Sequence, residues 1–222
     1  MQYVLLLNKP KGWTSFDVVN FVRRRMATER GVKPLKVKVG HAGTLDPLAT
    51  GLLLLAHDEG TKQIMSLMKQ DKTYEVTMRL GITSTTQDEE GEKTAVSDRV
   101  PTGQEVVTAL LHFVGDSMQV PPAFSALKVD GRRAYDLARS GKPVELQPRA
   151  IHIEYIDQVR YEYPFVYFRA RVGSGTYIRS IVRDIGESLG TGAYMSDLCR
   201  TSIGDYSLVD AQTPEQWEQH RN

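Results

Sequence analysis

The 222-residue sequence predicts a domain of the α+β class. Two stretches, KTYEVTMRL (72–80) and FVYFRARV (165–172), alternate apolar and polar residues as half-buried strands do. Two others, residues 15–26 and 178–189, repeat apolar residues at helical spacing. Strand and helix patterns do not alternate strictly along the chain, which favours α+β over a parallel α/β sheet.

The first half of the chain is predicted to carry two buried strands and a capped helix. VLLL (4–7) and LLLLA (52–56) are short, continuous apolar runs, which are typical of core strands. Thr14 or Ser15 can cap a helix in the segment between them. Four apolar side chains are expected on the inward face of this helix: Phe16, Val19, Val22 and Met26.

A short helix is predicted in GTKQIMSLMK (60–69), and we expect Met65 and Met68 to fill the core there. Residues 83–100 are polar and acidic and are predicted to form an exposed loop. Further helices are expected in residues 104–115 and in the C-terminal stretch TPEQWEQH.

Composition favours a soluble cytoplasmic protein. The N-terminal apolar run is too short for a signal peptide or a membrane span. Cys199 is the single cysteine, which excludes an internal disulfide and a multi-cysteine metal site. Large apolar stripes that would demand a partner are lacking, so we expect a monomer.

The net charge is +1, but basic residues are concentrated in two segments. Residues 1–40 carry nine lysines and arginines against two acids, and residues 120–149 carry six against three. Such segments can form a face for phosphate groups or can be ordinary solvated surface. Motifs of P-loop proteins, zinc proteases and serine hydrolases (GxxxxGK[ST], HExxH, GxSxG) do not occur.

The segment GHAGTLDPLATG (40–51) carries one carboxylate, Asp46, before the apolar run LLLLA. Its glycines allow tight backbone turns and Pro47 stiffens the residue after the acid, so the loop is suited to presenting Asp46. A turn cap is the alternative. A partly buried carboxylate needs a partner, and Arg179 on the first turn of the 178–189 helix is the candidate, unless it is a surface arginine.

Two aromatic side chains are open to two interpretations each. Tyr74 is either a core tyrosine or a flat face on which a base could stack. His41 either stabilises its turn or stacks on RNA, and spacing does not choose between these roles.

Five stretches carry a family pattern: LLLNKPKGWTSFDVV (5–19), GHAGTLDPLATGLLLLA (40–56), KTYEVTMRLG (72–81), QVPPAFSALKVDGRRAYDLARSG (119–141) and GTYIRSIVRDIGESLG (175–190). They span the chain, and the patterns GxLDPLATG, PPxxSAxKxxGxxxYxxAR and GTYIR are highly specific. In these stretches the chain resembles the TruB-type pseudouridine synthases. The resemblance implies the pseudouridine synthase fold, a mixed, largely antiparallel sheet with flanking helices around a central RNA-binding cleft.

The resemblance implies an isomerase that makes pseudouridine in the T arm of tRNA, at position 55 in tRNA numbering. Asp46 corresponds to the catalytic residue, Tyr74 to the residue that stacks on the flipped base, and Arg179 to the ion-pair partner of the aspartate. His41, Tyr177 and Leu198 match positions that shape the uridine pocket. Lys9 and Lys128 lie in the basic segments and are expected to contact RNA phosphates.

The resemblance also bears on domain organisation. Residues 1–222 are expected to form one catalytic domain, with 119–144 as a thumb-like RNA clamp and without the C-terminal PUA-type domain of many family members. Cys199 stands where the family commonly has a basic residue.

The reaction needs no cofactor or metal, because nothing is oxidised and no group arrives. Asp46 could attack C1′, deprotonate C2′ or add to C6 of the uracil, and the sequence does not choose among these routes. Two alternative functions stay open. One is a non-catalytic RNA-binding or tRNA-folding module; the other, a nucleoside-processing glycosidase, usually needs a second acid that is not evident.

Overall fold

The computed structural model describes residues 3–125, 127–129, 131–140 and 145–220. The chain divides into two compact units. The first contains residues 1–75 and 198–222, and the second contains residues 76–197. Both boundaries fall inside long strands, so these two strands run from one unit into the other.

Thirteen strands and six α-helices form the regular structure of the described residues, together with three short 3₁₀ segments. The strands are β1 (Val4–Lys9), β2 (Val39–His41), β3 (Thr50–His57), β4 (Lys72–Leu80), β5 (Ile82–Ser84), β6 (Lys93–Ala95), β7 (Gly115–Gln119), β8 (Lys128–Val129), β9 (Arg132–Arg133), β10 (Arg149–Glu162), β11 (Phe165–Val172), β12 (Ala193–Ile203) and β13 (Tyr206–Ser207). The helices are α1 (Ser15–Glu29), α2 (Ile64–Met68), α3 (Gly103–His112), α4 (Ala134–Arg139), α5 (Ile178–Ser188) and α6 (Pro214–Gln219).

In the first unit, β3 is the central strand. It pairs antiparallel with β1 and β2 and parallel with β12, which in turn pairs antiparallel with β13. Leu53 and Leu55 on one face of β3 pack in an apolar cluster with α1, whereas Leu52 and Leu54 on the opposite face pack in a second cluster. The run LLLLA is therefore uniformly apolar because both faces of its strand are buried.

Helix α1 begins as predicted. The Thr14 side chain accepts a hydrogen bond from the N–H of Asp17, and the Asp17 carboxylate accepts one from the N–H of Thr14. Val22 and Met26 face the core, but the inward prediction for Phe16 is wrong, since its side chain is 57% exposed. Phe16 lies roughly 100° around the helix from the centre of the buried face.

The core prediction for Met65 and Met68 is also wrong. Helix α2 has five residues, and Leu67 is the one that it buries. Met65 is 67% exposed and Met68 is 42% exposed. A helix of little more than one turn presents a narrow inward face, so most of its apolar residues lie outside that face.

In the second unit the strand order is β12, β4, β11, β10 and β7. Strand β10 pairs antiparallel with both β11 and β7. The predicted alternation of β11 is confirmed, and its buried residues are Val166, Phe168, Ala170 and Val172. The predicted inward face of α5 is confirmed as well, with Ile178, Ile181, Val182, Ile185 and the following Leu189 buried.

The prediction of an exposed loop over residues 83–100 is wrong in part. Strands β5 and β6 pair antiparallel within this segment. Ser84 and Asp88 are buried although the segment is polar. A buried carboxylate requires hydrogen bonds or an opposite charge, so Asp88 belongs to a specific site.

The fold class is confirmed as α+β. Strand β3 pairs parallel with β12 but antiparallel with β1, and β10 pairs antiparallel with β11 and β7, so the described sheet is mixed and largely antiparallel. Across the described residues, none of the helices combines the length and the apolar character needed to cross a membrane.

Candidate functional site

Asp46 is half-buried in the turn between β2 and β3. The N–H of Ala49 donates to the carbonyl oxygen of Asp46 at 3.1 Å, which closes a tight turn through Pro47. The residue before the acid is held by a buried serine. Leu45 donates its N–H to Ser15 Oγ at 2.8 Å, and Ser15 Oγ donates to the Leu45 carbonyl at 3.1 Å.

Lys9 holds the residue that follows the acid. Its side chain is fully buried, and Nζ donates to the carbonyl oxygens of Pro10 at 3.0 Å, Trp13 at 2.6 Å and Pro47 at 3.0 Å. An ammonium group has three protons, and these three acceptors use them all. The structure thus places Lys9 in the interior, at a position different from the predicted phosphate contact.

The charge of Lys9 acts on Asp46. Burial lowers the pKa of Lys9 to about 8, while the Asp46 carboxylate opposes this shift and the Arg200 guanidinium adds to it. With a pKa of about 8 the ammonium is mostly protonated at pH 7. A buried positive charge therefore acts on the Asp46 carboxylate from within the first unit.

Arg200 is a residue of this site that the sequence analysis missed. It is buried in β12, and Nε donates to the carbonyl of Leu52 at 2.7 Å, while Nη2 donates to that of Gly43 at 3.1 Å. Nη1 lies 3.5 Å from the carbonyl of Thr44. Arg200 thereby ties the loop before Asp46 to the core strand after it. The sequence offers one signal, an arginine in the otherwise small and apolar strand LCRTSIG.

Gly51 allows β12 to approach this loop. Its φ is +104°, and a Cβ at this position would lie 2.6 Å from the amide nitrogen of Arg200 and closer still to its carbonyl oxygen. A side chain would collide with backbone atoms that cannot move aside. The tight backbone conformation predicted for the glycines of this motif is thus observed at Gly51, where it makes room for β12.

A third buried cation, Lys72, lies close to Gly43 of the same loop. Its Nζ donates to the carbonyl oxygens of Met68, at 2.6 Å, and of Gln70. Burial is the main reason that its pKa falls to about 8, and the charge of Arg200 adds to this shift. Three cations thus surround the loop segments on either side of Asp46.

His41 and Tyr74 both lie in the first unit. His41 ends β2 and is half-buried; burial lowers its pKa, a hydrogen bond to the Gly43 backbone opposes the shift, and the Arg200 charge adds to it. The imidazole is therefore neutral at pH 7. Tyr74 is buried near the start of β4, on the face that it shares with Val76.

Leu198 and Thr50 link β12 to β3. Leu198 is buried, and its carbonyl oxygen lies 3.5 Å from Oγ1 of Thr50. The first unit thus contains five of the predicted site residues: Lys9, His41, Asp46, Tyr74 and Leu198.

Arg179 lies in the second unit and is buried at the first turn of α5. Nη1 is 3.4 Å from Oδ2 of Asp88 and donates to the carbonyl of Thr86 at 3.1 Å, while Nη2 donates to the carbonyl of Phe124 at 2.9 Å. Asp88 Oδ1 accepts hydrogen bonds from the hydroxyl of Thr86 and from the N–H of Glu90. Asp88 was not predicted from the sequence, and the ion pair between Arg179 and Asp46 stays a prediction.

Tyr177, the residue before α5, is fixed by a glutamine. Its N–H donates to Oε1 of Gln119 at 2.9 Å, and its carbonyl accepts from Nε2 of Gln119 at 3.1 Å. Ser180 Oγ donates to the carbonyl of Val120 at 2.9 Å. The start of the predicted 119–144 excursion is therefore bonded to the N-terminal end of α5.

Lys128 lies in β8, which pairs with β9 in a two-stranded hairpin. Helix α4 follows β9 directly, at Ala134–Arg139. Residues 126, 130 and 141–144 of the predicted thumb lie outside the described residues. Groups of three or more His, Cys, Asp or Glu side chains that could hold a metal ion are not found within the described part of the chain.

Two family models match the chain. That of the TruB family pseudouridylate synthase N-terminal domain matches residues 25–178, and that of the tRNA pseudouridylate synthase B C-terminal domain matches residues 179–221.

Curated relatives are similar over nearly the whole chain. The tRNA pseudouridine synthase B of Bacteroides thetaiotaomicron is 47% identical, over 97% of this chain and 91% of the relative. The protein of the same name from Caulobacter vibrioides is 45% identical, over 93% of this chain and 64% of the relative.

Solved structures share the fold. A chain of a Cbf5-Nop10-Gar1 complex aligns with a TM-score of 0.69 and 30% identity, over 92% of this chain and 49% of that chain. A chain of an archaeal box H/ACA sRNP Nop10-Cbf5 complex aligns with a TM-score of 0.70 and 27% identity, over 98% and 53%. This chain thus spans about half the length of these solved chains.

Proposed function

The chain belongs to the TruB family of pseudouridylate synthases, and on this premise we propose that it converts a uridine in the T loop of tRNA, at position 55 in tRNA numbering, into pseudouridine. The observation that carries the proposal is the anchoring of Asp46. Ser15 fixes the residue before it and Lys9 the residue after it. A carboxylate on so constrained a turn is preorganised for chemistry.

The reaction is an isomerisation. The N1–C1′ bond of uridine breaks, the uracil rotates and a C5–C1′ bond forms, while C5 loses a proton and N1 gains one. Asp46 is the proposed catalytic residue, and its carboxylate can attack C1′, act as a base at C2′ or add to C6. All three routes use one carboxylate and proceed without an oxidant.

Lys9 is proposed as a positioning residue in place of a phosphate contact. Its ammonium donates to the Pro47 carbonyl and its charge favours the ionised form of Asp46. Arg200 supports the same loop through Gly43 and Leu52. Both cations would keep the carboxylate charged and in place while the substrate binds.

Arg179 is proposed as the second charged residue of the catalytic machinery. Asp88 and two carbonyl oxygens hold its guanidinium. A guanidinium fixed in this way can direct a carboxylate by bidentate hydrogen bonds, which is the role proposed for it toward Asp46.

The uracil pocket is proposed to contain Tyr74, His41, Tyr177 and Leu198. Tyr74 would stack on the flipped base, and a neutral His41 would face the RNA without adding charge. The reciprocal hydrogen bonds of Tyr177 with Gln119 support a fixed pocket wall at the start of α5.

The remaining expectations form part of the same proposal. Residues 1–222 are proposed to act as one catalytic domain, since β4 and β12 each run through both units. Residues 119–144, with Lys128, are proposed to clamp RNA because basic side chains are concentrated there. We propose a monomer, to be checked by light scattering, in the cytoplasm, where the tRNA substrate resides.

The experiment uses an unmodified tRNA transcript and the purified protein without added metal or cofactor. Pseudouridine is mapped by carbodiimide adducts and primer extension, beside the Asp46→Asn variant. We expect one new stop in the T loop with the wild type and none with the variant, which should still bind tRNA. Retained binding with no stop for the wild type would favour the alternative, a non-catalytic RNA-binding or tRNA-folding module.

A further inference from the structure

Phe16 and Arg23 form an exposed aromatic–cation pair on α1. Phe16 is 57% exposed, and the guanidinium carbon of Arg23 lies 5.8 Å from the centre of its ring. The residues are seven positions apart, which places them on the same face of a helix. This face is distinct from the one that Val19, Val22 and Met26 pack into the core.

Arg23 is held in place by neutral oxygens. Nη1 donates to Oδ1 of Asn20 at 2.8 Å, and Nη2 donates to the carbonyl of Val39 at 3.1 Å. By contrast, Arg25 on the same helix lies 3.3 Å from Glu29 and 3.7 Å from Glu218. Among the described residues, no carboxylate lies within ion-pair distance of the Arg23 guanidinium, whose acceptors are both neutral.

The pair lies beside the segment that carries the proposed catalytic residue. Ser15, the neighbour of Phe16, exchanges two hydrogen bonds with Leu45, which precedes Asp46. Arg23 donates to Val39, two residues before His41. Arg23 is therefore bonded to one end of residues 39–46, and Phe16 follows directly after the serine that is bonded near the other end.

The chemistry of the pair fits a nucleotide. An exposed aromatic ring stacks on an unpaired base, and a guanidinium without a carboxylate partner pairs with a phosphate. Extruding a uridine from a loop unstacks its neighbours and leaves an unpaired base next to the target.

We propose that Phe16 and Arg23 bind the nucleotide adjacent to the target uridine, with its base on the Phe16 ring and its phosphate on the Arg23 guanidinium. The inference rests on the proposed function and adds a substrate-positioning site to it. Neither side chain touches the reacting atoms, so both act on RNA binding and leave the chemical step unchanged.

The test compares Phe16→Ala, Phe16→Trp and Arg23→Ala with the control Arg24→Ala. Arg24 is the next residue on α1, and its side chain points about 100° away from that of Arg23 around the helix axis. The substitution Arg24→Ala removes the same charge as Arg23→Ala. We expect Phe16→Ala to weaken binding of a T-arm stem-loop about tenfold, as loss of one stacked base does, and Phe16→Trp to restore it. Arg23→Ala should lower the salt dependence of binding by about one phosphate contact, and Arg24→Ala by less.

An abasic RNA identifies the stacked base. Stem-loops with an abasic site on the 5′ or the 3′ side of the target uridine are bound to the wild type and to Phe16→Ala. We expect one abasic position to weaken wild-type binding about tenfold and to have no further effect on Phe16→Ala. Single-turnover rates at saturating protein should be the same for both proteins, and circular dichroism checks that α1 is intact.

Two results would overturn the inference: equal effects of Arg23→Ala and Arg24→Ala together with unchanged binding by Phe16→Ala, or an abasic effect that is as large in Phe16→Ala as in the wild type. Failure of the proposed function looks different. A wild type that binds the stem-loop but forms no pseudouridine would refute the reaction, while the abasic comparison would still decide what Phe16 binds.

Discussion

The two units hold their buried cations in different ways. In the first unit, Lys9, Lys72 and Arg200 donate to backbone carbonyl oxygens. In the second unit, Arg179 also donates to carbonyl oxygens, but a buried carboxylate, that of Asp88, lies beside it. In the first unit, buried positive charges hold the backbone of a loop in place. In the second unit, a buried carboxylate holds one arginine side chain in place.

Because of this difference, substitutions in the two units should affect stability and activity to different extents. Cutting a contact in the first unit leaves several buried carbonyl groups without partners, so the loop and the stability of the protein should both suffer. Removing the carboxylate in the second unit leaves the carbonyl contacts of Arg179 in place, so activity should fall more than stability.

The largest effect is expected where the backbone of the first unit is most crowded. Gly51 and Gly115 share a φ of +104°, but a Cβ at Gly51 would overlap Arg200, whereas a Cβ at Gly115 would meet nothing within 4 Å. Gly51→Ala should lower the free energy of unfolding by more than about 4 kcal/mol, and Gly115→Ala by about 1 kcal/mol, the cost of the backbone conformation alone. Urea denaturation measures both. Equal losses would show that β12 can move away from Gly51.

Arg200→Met should have the next largest effect. The methionine replaces the aliphatic part of the side chain but cannot donate to Leu52 and Gly43, so their carbonyl groups lose partners. We expect a loss of about 3 kcal/mol in the free energy of unfolding, together with a lower turnover number. Arg200→Lys, which keeps one charge and fewer donors, should recover part of the stability. A fully stable Arg200→Met protein would mean that water replaces the guanidinium.

The elements that could be predicted from the sequence are those whose pattern is local. The periodic elements β4, β11 and α5 and the core strand β3 were predictable, because their patterns are local and each buries a wide face. Asp46 was predictable as a presented acid because glycines and a proline surround it in the chain.

The failures have a common physical origin. The Lys9 ammonium is held by carbonyl groups of the turn that follows it and of the distant Asp46 loop, and Asp88 lies beside an arginine from a distant helix, so no local sequence pattern indicates that either charge is buried. Phe16 and Met65 look like core residues by spacing, but the neighbouring elements fix which face of a short or amphipathic helix is covered. Burial of a charge depends on partners that become neighbours once the chain has folded.

Asp88→Asn tests the role of the buried carboxylate in the second unit. The asparagine keeps an oxygen for the Thr86 hydroxyl and the Glu90 N–H but removes the charge next to Arg179. We expect kcat to fall about 30-fold, equivalent to about 2 kcal/mol, with the Kd for tRNA within about twofold of the wild type. Glu89→Gln, which removes the exposed neighbouring charge, is the control. An equal fall in kcat for Glu89→Gln would show that the loss of net charge causes the effect, and not the loss of the contact that positions the Arg179 guanidinium.

The smallest expected effect, counted per pH unit, is a pH dependence that originates in the first unit. The pKa of Lys9 is about 8 in the folded protein, mainly because of burial, against an ordinary value of 10.5. Below pH 8 the amine is protonated in both states; between about pH 8 and 10.5 the unfolded chain keeps a proton that the folded protein releases. The unfolded state then binds more protons, so the free energy of unfolding gains a contribution that rises with pH across this window, on the order of 1 kcal/mol per pH unit. Urea denaturation at pH 7 to 10 should show a shallower rise for Lys9→Met than for the wild type, and an unchanged rise for Lys36→Met, which removes an exposed lysine. Identical slopes in all three proteins would mean that the Lys9 ammonium keeps its proton throughout, and that its carbonyl acceptors stabilise the charge more than burial disfavours it.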